Sequence, residues 1–289
     1  MCLAHEKSAL KCIGHTRVAC SGSGENTVAA MKISLNADMG ESFGPYRLGD
    51  DEALMPLISS ANIACGMHAG DPAVMHRTIG LAKRYDVCIG AHPGFNDLSG
   101  FGRRRIAMDP SDIEYLVTYQ IGALQALAGA QGLRVAYVKP HGALNNIAHE
   151  DRSVADAVAR GIRAAGRDLI FVANCLSEMT EAARGAGLAV VHEAYADRHY
   201  CPTGRLLPRD VALSVIRDPA AAAVRVLAML ESQCLLTTDG TRLSTPIDTL
   251  CIHADEPTAV EVAAHVRKAL AQAGIAVVQL SEIGACTAD

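Results

Sequence analysis

From Met31 onward the chain alternates short apolar runs with longer stretches in which apolar residues recur every three or four positions. The first pattern predicts strands buried on both faces, and the second predicts amphipathic helices. Strands are expected at about 32–37, 59–64, 87–91, 134–139, 168–173, 188–193 and 249–253, with an eighth at 275–280. Helical patterns fill most of the gaps, at about 50–57, 72–85, 110–130, 151–166, 177–186, 219–231 and 257–273. Asp71-Pro72 reads as a helix start, because Asp caps free backbone N–H groups and Pro at the first helical position gives up one that would be unpaired anyway. Gly132, Gly166, Gly187 and Gly274 fall just past helix ends, where a left-handed residue commonly stops a helix.

Strands alternating with helices argue for a parallel sheet covered by helices. Seven or eight such units in roughly 260 residues favour an α/β fold of the closed (β/α)-barrel type over an open doubly wound sheet. The absence of a GxGxxG after the first strand points the same way. Residues 1–30 show neither period and include Ser21-Gly22-Ser23-Gly24, so little fixed structure is expected there, and 31–289 is expected to form a single domain. Lys7, Lys11, His15 and Arg17 interrupt every apolar run that a signal peptide would need.

Composition narrows the function classes. The 289 residues are half hydrophobic and carry a formal net charge of −5, which gives no electrostatic case for nucleic acid. No apolar run approaches the roughly 18 residues of a membrane span. A small-molecule partner is expected instead. Ten cysteines occur without a CxxC pair, a usage that fits a reducing cytoplasm better than a disulfide framework. Cys65, Cys88, Cys175 and Cys251 sit in apolar contexts and are expected to serve packing.

Barrel chemistry sits at the carboxyl ends of the strands, so the residues just after each strand are informative. Strand one leads into Asn36, Asp38 and Glu41, strand two into Asn62 and His68, and strand three into His92, Asn96 and Asp97. Strand four gives Lys139 and His141, strand five Asn174, strand six Glu193, Asp197 and Arg198, and the seventh His253 and Asp255. Burying an ion costs several kcal/mol unless it is paired, so a fold gains little stability by aiming this many ionisable groups at one mouth. Function is the better explanation for the set.

Lys139, at the end of an apolar strand, is expected to be partly desolvated with a lowered pKa, unless it pairs with Asp38 or Glu193. The four histidines His68, His92, His141 and His253 could act as acid or base or as neutral metal ligands, and with no HExxH or other tight spacing no metal ligand is assigned. The loop from Phe95 to Arg105 is punctuated by glycines and ends in Arg103-Arg104-Arg105, which could clamp an anion over the mouth. No GxxxxGK[ST] loop is present, so a Walker-type nucleotide site is unsupported.

These stretches, taken together, resemble the LamB/YcsF family. The matching segments are Leu35 to Glu41, Ser60 to Gly66 with His68 to Asp71, Gly90 to Pro93, Gly100 to Arg103, Lys139 to Leu144 and Glu193 to Arg198. The resemblance implies a β/α barrel like those of glycoside hydrolases and deacetylases, and ATP-dependent opening of 5-oxoproline to L-glutamate beside partner subunits B and C. ATP, with Mg2+ bound to it, would be the cofactor. Carried over by position, Asp38, Glu41, Asn62, His68, His92, Lys139, His141, Glu193, Asp197 and Arg198 would form the site. From their chemistry Asp38, Glu41, His68, Lys139 and His141 are expected to be catalytic, and Asn36, Asn62, His92, Arg103, Glu193, Asp197, Arg198 and His253 to bind substrate. Asn145 stands where the family usually has Tyr, Thr203 where Asp usually precedes Gly204, and Ala254 where Gly separates His from Asp. Two other readings stay open: a metal-dependent deacetylase-type amide hydrolase with Asp38, His68 and His141 as ligands, and a non-catalytic ligand-binding subunit.

Overall fold

The computed structural model describes residues 31–283, so the expectation for residues 1–30 lies outside the described part. Seven parallel strands close a barrel: β1 (Lys32–Met39), β2 (Ser60–Ala64), β3 (Cys88–His92), β4 (Val135–Val138), β5 (Ile170–Asn174), β6 (Val190–Tyr195) and β9 (Thr249–Ile252). Closure comes from β9 pairing with both β6 and β1. The expected eighth strand is a two-residue β10 (Ala276–Val277) that pairs with the first residues of β1, at Lys32 and Ile33, outside the barrel ring. A short antiparallel hairpin, β7 (Cys234–Leu236) with β8 (Arg242–Ser244), precedes β9 and has no counterpart in the strand pattern read from the sequence.

The helices are α1 (Asp51–Leu54), α2 (Pro72–Arg84), α3 (Pro110–Ala130), α4 (Gly142–Glu150), α5 (Arg152–Ala165), α6 (Glu178–Gly185), α7 (Pro219–Ser232) and α8 (Ala259–Gln272). Asp71 caps α2 by accepting from the N–H groups of Ala73 and Val74 at 2.8 and 2.9 Å. Asp151 and Asp218 cap α5 and α7 in the same way. The α4 helix is absent from the periodic reading because it follows Lys139-Pro140-His141 directly and runs almost without a break into α5, whose cap Asp151 also ends it. Gly161 lets α5 press on α3, since a Cβ there would lie 2.7 Å from the Glu114 carbonyl.

Along β1 the two-residue period divides the side chains. Ile33, Leu35, Ala37 and Met39 join the apolar layer under the helices, while Ser34, Asn36 and Asp38 bond with groups of other barrel strands. At the amino end of the strands Tyr137, Val172, Val191 and Leu280 form a separate apolar plug. Above it the barrel interior is polar: Ser34 bonds Ser60 at 3.0 Å, and Asn36 donates to Thr249 Oγ1 at 2.8 Å and to Glu193 Oε1 at 3.0 Å.

Candidate active site

The polar interior leads upward to a cavity of about 340 Å³ at the carboxyl end of the barrel, lined in part by Asp38, Glu41, His92, Lys139, His141 and His253. Lys139 follows β4 and reaches across the barrel. Its Nζ donates to Asp38 Oδ1 at 2.8 Å and to Cys251 Sγ at 2.8 Å, and lies 3.4 Å from Glu193 Oε1. Burial by itself pushes this ammonium's pKa down, but Asp38, Cys251 and Glu193 outweigh it and hold the pKa well above the ordinary lysine value. The expectation of a lowered pKa is therefore corrected: Lys139 is a fixed cation, and the pairing partners are both Asp38 and Glu193. Asp38 shows the reverse balance. Burial favours its neutral form, yet the neighbouring His92 and Lys139 keep its carboxyl well below the usual range, so it is an anion.

Asn62, on β2, donates to Asn36 Oδ1 at 2.7 Å and to Asp38 Oδ1 at 2.9 Å. Asn36, Asn62 and Glu193 thus stand inside the barrel beneath the cavity rather than on its rim, as buried members of one network with Asp38 and Lys139. Of these groups Asp38 and Lys139 line the cavity.

The second cluster lies beside the first. Glu41 follows β1, His68 sits in the loop after β2, His92 ends β3 and His141 precedes α4. His92 Nδ1 lies 2.7 Å from the Lys139 carbonyl, and His141 Nε2 lies 2.8 Å from the Phe101 carbonyl. A carbonyl only accepts, so each of those ring nitrogens carries the hydrogen. In the neutral rings the lone pairs are then on His92 Nε2 and His141 Nδ1, which face each other at 3.0 Å. His92 Nε2 is also 3.3 Å from Asp38 Oδ1. Glu41 Oε1 lies 3.4 Å from His68 Nε2 and 3.6 Å from His141 Nδ1. The His68 ring stacks on His141 with centroids 3.7 Å apart. Gly102 makes room for this stack: at φ +63° it has a conformation suited to glycine, and a Cβ would sit 2.7 Å from His68 Cβ and 2.8 Å from His141 Cδ2.

Burial, and the neighbouring Asp38 and Asp255 carboxylates, push the Glu41 carboxyl well above its ordinary value. Burial and the adjacent imidazoles hold His68 and His141 well below theirs. The two carboxylates are thereby set apart, an anion at Asp38 and a group able to carry a proton at Glu41. Glu41, His68, His92 and His141 each offer a donor atom, all within 4.8 Å of one another, so this set could hold a metal ion. It differs from the trio Asp38, His68 and His141 weighed from the sequence, because Asp38 is engaged by Lys139 and His92 with Glu41 completes the cluster.

The remaining candidates form the rim. His253 Nδ1 and its backbone N–H meet Asp197 at 2.9 and 3.0 Å. Arg103 pairs with Asp255 at 2.6 Å, and Arg198 lines the cavity while donating to the Leu207 and Ser214 carbonyls. Arg104 pairs with Asp97, and Arg105 with Glu150 at 3.2 Å, so of the three arginines only Arg103 lines the cavity. Sequence reasoning missed Arg209, which lines the same mouth and pairs with Asp255 and Glu256. It lies in the irregular segment between β6 and α7, where no period or strand end marks it. The Asn145 position is buried against the cavity, with its amide 3.4 Å from the Tyr195 hydroxyl, whereas Cys201 and Arg205 are the neighbours of Thr203. Cys65, Cys88, Cys175 and Cys251 are free thiols, and no helix among the described residues is long and apolar enough to cross a membrane.

A closed β/α barrel with buried acid, base and cation at the carboxyl ends of its strands has the layout of an enzyme. Residues 33–285 match the LamB/YcsF family model, and the chain belongs to that family. It is 50% identical over 245 residues to the A subunit of 5-oxoprolinase from Azorhizobium caulinodans, covering 85% of this chain and 97% of that one. The protein of the same name from Pyrococcus horikoshii is 45% identical over 252 residues, 87% of this chain and 99% of its own. Among solved structures, the lactam utilization protein of Thermus thermophilus superposes with a TM-score of 0.81 at 47% identity, covering 86% of this chain and 99% of that one. A putative cellobiose-phosphate cleavage protein of Enterococcus faecalis shares the fold at a TM-score of 0.52 and 12% identity, over 87% and 98% of the two chains.

Proposed function

We propose that the chain hydrolyses the C–N bond of a five-membered cyclic amide, 5-oxoproline, to give L-glutamate, as the barrel subunit of an ATP-dependent 5-oxoprolinase with partner subunits B and C. The observation that carries this reading is the placement of the Asp38–Lys139 ion pair beside a protonatable Glu41–histidine cluster at one small cavity. Relatives about half identical along nearly their whole length, named for that activity, supply the substrate class.

A lactam resists water because amide resonance makes its carbonyl carbon a poor electrophile. Transfer of the ATP γ-phosphoryl group to the amide oxygen removes that resistance. Water then adds to the ring carbon, the C–N bond breaks with its electron pair going to nitrogen, and nitrogen takes a proton. A second water releases phosphate from the remaining acyl phosphate.

Within this sequence the Asp38 anion orients the attacking water, His141, kept neutral by burial, takes a proton from it, and Glu41 gives one to the leaving nitrogen. Lys139 and the cavity-facing Arg103 offset the negative charge of the phosphorylated substrate and its carboxylate. With no Walker loop in the sequence, phosphoryl transfer is assigned to the partner subunits.

The deacetylase-type alternative makes a different demand. Incubation with 5-oxoproline, ATP and the partner subunits, alongside an N-acetylated sugar, separates the two readings. Glutamate release supports the first. Acetate release without ATP would replace it.

A further inference from the structure

We propose that Glu41, His68, His92 and His141 are the ligands of a resident divalent transition-metal ion. Several buried polar atoms of this cluster leave their hydrogen bonds unmade. His68 is 1% exposed, yet neither ring nitrogen has a hydrogen-bond partner among the described residues, and buried Glu41 Oε1 also lacks one. A buried polar group left in this state is costly, because it has given up water without gaining a partner. Two of these orphaned atoms, His68 Nε2 and Glu41 Oε1, lie 3.4 Å apart, and Glu41 Oε1 is 3.6 Å from His141 Nδ1, which in turn meets His92 Nε2.

With both rings neutral, two lone pairs meet at 3.0 Å and repel unless something positive, a metal ion or a proton, lies between them. The backbone fixes this arrangement, because the Lys139 and Phe101 carbonyls take the other ring hydrogens. Donation of the distal N–H to a backbone carbonyl is also how metal-bound histidines are commonly oriented. The donor spacing suits an ion. Donors bound at about 2.0–2.1 Å around a tetrahedral centre lie about 3.3 Å apart. Three of the six separations are close to this, 3.0 Å for His92–His141, 3.4 Å for His68–Glu41 and 3.6 Å for His141–Glu41, and all six lie within 4.8 Å.

Three imidazoles and one carboxylate select zinc, iron, cobalt or manganese over magnesium or calcium, which prefer all-oxygen sites. A divalent ion held there would polarise a bound water or carbonyl oxygen beside Asp38. The His141 lone pair and the Glu41 carboxylate would then serve the ion, and proton transfer from water would fall to the Asp38 anion. The rival occupant is a proton shared by His92 and His141, which would also relieve their repulsion but would leave His68 unpartnered.

The proposed site does not depend on which lactam the chain opens, and its test needs no substrate. Purified full-length protein is stripped with chelator, dialysed against Co2+, and examined by metal analysis and visible absorption. The site predicts one Co2+ per chain with the ligand-field bands of a nitrogen- and oxygen-ligated ion, displaced by one equivalent of Zn2+. His68→Ala should lose the bands. Glu41→Gln, a near-isosteric change, should weaken binding by at least about tenfold, with circular dichroism showing that each variant is folded. His253→Asn, outside the cluster, should bind as wild type does. A folded wild-type protein that retains no Co2+ or Zn2+, or binding unchanged in both cluster variants, would overturn the proposal.

Discussion

Replacing Lys139 by Met removes the cation on which the barrel interior is balanced while keeping the length and apolar body of the side chain. The ammonium is 2.8 Å from Asp38 Oδ1 and 3.4 Å from Glu193 Oε1, and all three side chains are buried. At an effective dielectric of about 20 these pairs are worth about 6 and about 5 kcal/mol. Removing the lysine also removes several kcal/mol of its own desolvation cost. What remains is a loss of about 3–5 kcal/mol, the usual cost of leaving a buried charge without its partner. Urea unfolding at neutral pH reads this as a lower midpoint with an unchanged slope. Adding Glu193→Gln to Lys139→Met should cost less than the sum of the two single changes, by about 0.5–3 kcal/mol, because the second change removes a charge that the first has stranded. A Lys139→Met midpoint within error of wild type, or strict additivity in the double variant, would refute this balance of charges.

Asp38→Asn and His141→Ala should each lower glutamate formation at least about a hundredfold in the presence of the partner subunits, and wild-type turnover in either variant removes that residue from the mechanism. Asp197 supplies a test of pH dependence. Burial alone would raise its pKa, but the His253 imidazole and backbone N–H, helped by Arg198, hold it below the ordinary value. Its contribution is therefore fully present above the unfolded value of about 3.9 and fades as pH falls through the lower folded value. The stability gap between wild type and Asp197→Asn should be constant from neutral pH to about pH 4 and narrow on further acidification, and a gap that widens instead would reverse the assignment. Gly90 of β3 pairs with Tyr137 of β4, and in Gly90→Ala the new Cβ would lie 2.2 Å from the Tyr137 ring, so the variant should melt well below wild type or fail to fold, and an unchanged melting temperature would contradict that close approach.

The barrel was legible because its strands and most of its helices have distinct hydrophobic periods and because Asp71-Pro72 marks a helix start. The depth of the polar residues was harder to read. In β1 the alternation Ile33-Ser34-Leu35-Asn36-Ala37-Asp38-Met39 encodes an apolar outer face and a polar inner one, yet a strand-end argument places Asn36 on the rim. The period of two contains the correct answer, since Asn36 and Asp38 must share a face with Ser34. Lys139 illustrates a different limit: burial and ion pairing push its pKa in opposite directions, and only the distances to Asp38, Cys251 and Glu193 decide the balance. The histidine cluster was invisible as a unit because its members come from four separate chain segments, at positions 41, 68, 92 and 141, with no ligand spacing for local sequence to display. Arg209 and the β7–β8 hairpin lie in irregular or very short segments, where neither period has room to develop.

Reconstitution with ATP and 5-oxoproline in ¹⁸O-labelled water separates ring opening by this barrel from phosphoryl transfer by its partners. The purified chain alone should show no 5-oxoproline-dependent ATP hydrolysis. With partner subunits resembling B and C from the same source, ¹⁸O should enter the newly formed glutamate carboxylate and be lost when Asp38→Asn replaces the wild-type chain. Robust ATP-coupled glutamate production by the chain alone, or undiminished label incorporation with Asp38→Asn, would contradict this division of the chemistry.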